Sequence, residues 1–126
     1  MALKINVDKA KEGVFVVSAA GSIDTETSAE MEKTLSPILA IAKAIVLNME
    51  GVDYISSMGI SVIFNSKKAI EAKGGSFLMT NLQPQIKRTF EIINALPKMC
   101  VFGSLQEADA YLLTMQRKEI EKQKNN

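Results

Sequence analysis

Between Val14 and Met115, four short runs rich in β-branched and apolar residues each give way to a stretch whose apolar residues recur at helical spacing. The runs fall at residues 14–20, 44–49, 76–80 and 99–102, and the stripes after them end near Ala42, Lys73, Ile93 and Met115. Strand and helix alternating at this interval leave few arrangements, because neighbouring strands must run the same way and be joined by helices that cross over the sheet. Ahead of the first run, Leu3, Ile5 and Val7 alternate with Lys4, Asn6 and Asp8, the two-residue period of a strand with one wet face. The charged turn that follows predicts an antiparallel hairpin. The expected fold is therefore α/β: a mixed five-stranded sheet, largely parallel, with an antiparallel N-terminal strand and four main helices.

Local signals place the helices. Thr27 and Glu30 have the spacing of a capping box, and Met31, Leu35, Ile38, Leu39 and Ala42 form one stripe, which Pro37 should bend or interrupt. Ile60, Ile63, Phe64 and Ile70 share a face of the second helix, and Gly74-Gly75 stops it. Pro84 suits a first helical turn, after which Ile86, Phe90 and Ile93 supply the buried stripe. Ser104 and Glu107 give another capping box, and the last helix should bury Leu105, Ala108, Leu112 and Met115. Residues 1–115 read as one domain, and the polar residues 116–126 as a tail or helical extension.

With no histidine and a single cysteine, the chain lacks the usual general base, the Ser-His-Asp arrangement and the common His or Cys metal sites. Cys100 lies in an apolar run and reads as a small core residue. Gly74-Gly75 follows a helix and precedes a strand, the reverse of a phosphate-binding loop. A receiver domain would cluster carboxylates around magnesium, yet Asp24 has no acidic neighbour before Glu26. A net charge of +1 gives no footprint for nucleic acid or an anionic membrane. No apolar run is long enough for a membrane span, so a cytoplasmic protein without catalytic residues, cofactor or metal is expected.

In parallel sheets, contacts gather at the carboxyl ends of the strands, and two segments fall there: residues 21–24 and 53–59. Ser57 lies where the second helix should start, which by itself makes it an N-cap, with Gly59 allowing close packing. The segment Tyr54-Ile55-Ser56-Ser57-Met58-Gly59-Ile60 nevertheless resembles the signature of the STAS domain family, named for sulfate transporters and anti-sigma factor antagonists. On that pattern Ile55 takes the aliphatic place, Ser57 that of the phosphorylated serine, Gly59 the glycine and Ile60 the leucine. Ser56 holds the place of an Asp, and Met58 that of a second Ser or Thr. Gly21-Ser22-Ile23-Asp24 is similar to the family's Gly-x-Leu-Asp turn, and the stretch from Leu82 to Phe90 to the part before its last strand.

The resemblance implies an anti-sigma factor antagonist, a protein that binds an anti-sigma factor with serine kinase activity and frees the sigma factor while unphosphorylated. Ser57 would then carry the phosphate, and Asp24, Ser56, Ser57, Met58, Gly59 and Ile60 would meet the partner. Transcription would be regulated indirectly, without direct nucleic-acid contact or membrane insertion; a homodimer stays open. The alternative is a non-phosphorylated STAS scaffold or the small STAS subunit of a lipid-transport complex.

Overall fold

A computed structural model describes residues 3–124. Its elements are β1 (Lys4–Lys11), β2 (Val14–Ile23), α1 (Thr25–Ile41), β3 (Ala44–Ile55), α2 (Ser57–Glu71), β4 (Ser76–Thr80), α3 (Pro84–Ile92), a 3-10 turn (Leu96–Lys98), β5 (Cys100–Phe102) and α4 (Leu105–Lys124). The five strands lie side by side in the order β1-β2-β3-β4-β5, with β1 antiparallel to β2 and the other pairs parallel. Chain order and sheet order coincide, so successive crossovers advance in one direction.

That regular advance stacks helices unequally on the two faces. Ile45, Leu47 and Met49 of β3 point into a large core with Met31 and Leu35 of α1, Ile63 and Ile70 of α2, and Ile86 and Phe90 of α3. Ala44 and Val46 point the other way, into a smaller core with Leu78 and with Ala108 and Leu112 of α4. The two-residue period of a strand makes both possible, since a centrally placed strand must be apolar on each face.

Several local expectations are corrected. The first capping box is formed by Asp24 and Thr27 rather than by Thr27 and Glu30, so α1 begins three residues sooner than the Thr/Glu spacing suggests. The helix also runs through Pro37, whose ring faces solvent. Ile93, just past the end of α3, and Leu105 and Met115 of α4 are exposed rather than buried. Cys100 is half-buried on the edge strand β5. The box at α4 is present in altered form: Ser104 Oγ accepts from the Glu107 amide at 3.2 Å, while Glu107 accepts from the amide of Gly103 at 2.7 Å. Of the polar C-terminal residues, those up to Lys124 continue α4.

Strand β3 is much longer than its apolar run. Past Asn48 it gains an extra residue relative to β2 between Ser18 and Ala20, and another between Gly21 and Ser22. Such irregularities bend a strand and re-aim its side chains. Here they bring Ile55 opposite Ile23, so both strands finish level.

Candidate functional site

Two helices start from this level edge. Ser56 donates its amide to the carbonyl of Ile23 at 2.7 Å, fastening the beginning of α2 to the end of β2. Asp24 caps α1 and Ser56 caps α2, each directly following a member of the last paired residues of β2 and β3, Ile23 and Ile55. Asp24 and Ser57 thereby lie at the same edge of the sheet.

Asp24 is held by what it caps. Its Oδ1 accepts from the Thr27 amide at 2.8 Å and from the Thr27 hydroxyl at 3.1 Å, while the Asp24 amide donates to Thr27 Oγ1 at 2.8 Å. The single hydroxyl proton of Thr27 is shared with the carbonyl of buried Ser22, the shorter contact at 2.7 Å, tying α1 to β2. The backbone N–H of Thr27, above all, holds the Asp24 carboxyl below the ordinary aspartate range, with the Thr27 hydroxyl assisting. A depressed folded value means the cap stabilises the fold above the unfolded value and loses that contribution as pH falls through the lower, folded one. At neutral pH the cap is anionic. Asp24→Ala is expected to lower the melting temperature by roughly 3–8 °C, as loss of a good N-cap does in a domain of this size. Scanning calorimetry that found no change would remove the capping role.

At α2 the division of labour differs from that read in the sequence. Ser56, not Ser57, is the cap, its Oγ accepting from the Gly59 amide at 3.2 Å. Ser57 is the first helical residue, exposed, and its hydroxyl has no hydrogen-bond partner among the described residues. Met58 is 52% exposed beside it. Ile60 is half-buried and packs against the main core, and Gly59 is buried against Ile23 and Ile55. Gly59 thus lies beneath the surface and serves it by letting α2 approach.

Tyr54, which the sequence resemblance gives no role, is 53% exposed. The alternation of β3 sends Ile55 inward and Tyr54 outward, a signal that counting apolar residues conceals. Tyr54 and Met58 add exposed apolar side chains to this edge of the sheet. Asp53, also exposed, accepts from the hydroxyl of Ser22 at 3.0 Å, and α2 has no acidic residue in its first turn. Among the described residues no three metal-ligating side chains converge, and no helix is long and apolar enough to cross a membrane. Because the parallel strands advance in one direction, the edge has no point of reversed strand order at which a ligand crevice would open. An edge with an unengaged hydroxyl and exposed apolar side chains suits protein docking.

Comparison with known proteins identifies the family. The STAS domain model matches residues 7–108. The anti-sigma-B factor antagonist of Bacillus subtilis (strain 168) is 30% identical over 91 residues, which span 71% of this chain and 84% of that protein. Among solved structures, the anti-sigma factor antagonist SpoIIAA in its unphosphorylated form aligns with a TM-score of 0.77 at 17% identity, covering 88% of this chain and 97% of that one. The Bacillus cell fate determinant SpoIIAA in its phosphorylated form aligns with a TM-score of 0.69 at 17% identity, covering 86% and 99%.

Proposed function

Since the chain belongs to the STAS domain family and is an anti-sigma factor antagonist, we propose that it binds its anti-sigma factor through the surface around Asp24 and residues 56–60, and that phosphorylation of Ser57 by that partner turns binding off. The observation that carries this reading is the division between the two serines. Ser56 occupies the cap, which leaves the exposed Ser57 hydroxyl available for transfer without dismantling the helix start. Met58 and Tyr54 supply the apolar margin of the contact, and Gly59 seats the helix beneath it. That SpoIIAA is known in unphosphorylated and phosphorylated forms on the same fold supports a switch that leaves the architecture in place. The protein acts by binding, and the partner supplies the kinase chemistry.

The test is incubation with the cognate anti-sigma factor and ATP. Intact-mass measurement should show one added phosphate, lost completely in Ser57→Ala, while Ser57→Ala should bind the partner as the unmodified protein does. Phosphate retained in Ser57→Ala would move the acceptor elsewhere. Stable binding with no phosphate on any residue would favour the constitutive scaffold instead.

A further inference from the structure

Strand β1 forms one edge of the sheet, and from Asn6 to Lys11 every residue is exposed. An edge of this kind presents a row of backbone N–H and C=O groups with no neighbour. Its register against β2 sets Lys4, Asn6 and Asp8 on the face of Ala20, Ser18 and Val16, and Ile5 and Val7 on the face of Ala19 and Val17. Ile5 packs against the main core, whereas Val7 is left 40% exposed.

We infer that β1 pairs with β1 of a second copy of this chain, antiparallel about a twofold axis at Asn6, so that two sheets become one. A twofold axis perpendicular to the sheet opposes each face to its own kind, which restricts the pairing to registers centred on a residue. Centred on Asn6, Lys4 meets Asp8 of the second copy and Asp8 meets its Lys4, while Ile5 and Val7 meet reciprocally on the other face. The neighbouring registers lack this match. Centred on Ile5, Lys4 faces Asn6; centred on Val7, Ile5 faces Lys9; centred on Asp8, two aspartates face each other. Opposite charges and apolar pairs across an antiparallel ladder stabilise it, and like charges do the reverse.

One further feature favours the pairing and another bounds it. Among the described residues the ion pairs are Lys11 with Asp109 and Lys67 with Glu71, so Lys4 and Asp8 are uncommitted within the chain. The irregularity between Lys9 and Lys11 ends the regular strand just past the segment that would pair. The segment includes no residue of the Ser57 surface, so a dimer would carry two docking surfaces, and the inference stands independently of the proposed switch.

Sedimentation at low ionic strength over a concentration series tests it, with Lys4→Asp, Asp8→Lys and the double variant. Both positions are exposed, and circular dichroism melts verify that each variant folds. The unmodified protein should dimerise, each single reversal should raise the dimer dissociation constant roughly tenfold or more, and the double variant should return to within about threefold. Amide exchange across residues 4–8 should slow as concentration rises. A protein monomeric throughout, a dimer indifferent to the reversals, or a double variant no better than the singles would each overturn the pairing.

Discussion

Titrated against its anti-sigma factor, Ser57→Asp is expected to bind at least a hundredfold more weakly than the unmodified protein, and the Ser57 phosphoprotein more weakly still, with melting temperatures unchanged or slightly raised. The two halves of this expectation have separate causes. In the free protein Ser57 is exposed in the first turn of α2, where amides without intrahelical partners and the positive end of the helix dipole accommodate added negative charge. Phosphate brings about 1.5 to 2 such charges, and in water the helix start accommodates them while solvent screens their repulsion from Asp24, so the fold loses little. In the proposed complex the same charge would leave water, and its repulsion from Asp24, which bonds to Thr27 keep ionised and which solvent screens in the free protein, would strengthen. Desolvation and like-charge repulsion then oppose docking, and a combined cost of about 3 kcal/mol already exceeds a hundredfold in affinity. Calorimetric titration of unmodified protein, Ser57→Ala, Ser57→Asp and phosphoprotein, with melts in parallel, separates the causes. Equal affinities would sink the switch, and a large fall in melting temperature on Ser57→Asp would mean that Ser57 supports the helix.

The layered fold is readable from residue periods because each period reports burial directly. Alternating residues in β1 and the stripes of α1 and α2 place their elements without knowledge of neighbours. What the periods do not carry is the length of elements at their ends. Ile93, Leu105 and Met115 fit the stripes yet lie exposed, since a stripe says which side faces inward and not how far the covering sheet extends. Capping is ambiguous for a related reason: Asp24, Thr27 and Glu30 are spaced so that two boxes are consistent, and only the carbonyl of Ser22, waiting for the Thr27 hydroxyl, decides between them. The Ser56 and Ser57 pair is a sharper case, because either serine is a good cap. The choice is fixed by the amide of Ser56 binding to Ile23, a contact between strands that no local pattern contains. The candidate surface was therefore legible as a segment, while the roles within it were set by the register of β2 on β3.

Gly59 joins that register to the surface, and Gly59→Val is expected to destabilise the fold by about 2–3 kcal/mol. A Cβ at Gly59 would lie 2.6 Å from Cγ2 of Ile23, 2.9 Å from Cγ1 of Ile55 and 3.2 Å from the carbonyl oxygen of Ile23. Neither isoleucine can yield easily, for Ile23 is fully buried and Ile55 nearly so, and the carbonyl is already engaged by the Ser56 amide. Valine gains only a few tenths of a kcal/mol over glycine in helix propensity, too little to offset the crowding. Relief comes only if α2 lifts from the sheet, which strains the Ser56 bond and carries Ser57 away from Asp24. The variant should therefore lose stability and partner affinity together, unlike Ser57→Asp, which loses affinity alone. Denaturant unfolding and titration on the same samples distinguish the two patterns. A Gly59→Val protein as stable as the parent would show that α2 does not need this close seat, and would remove the physical link between the strand register and the position of Ser57.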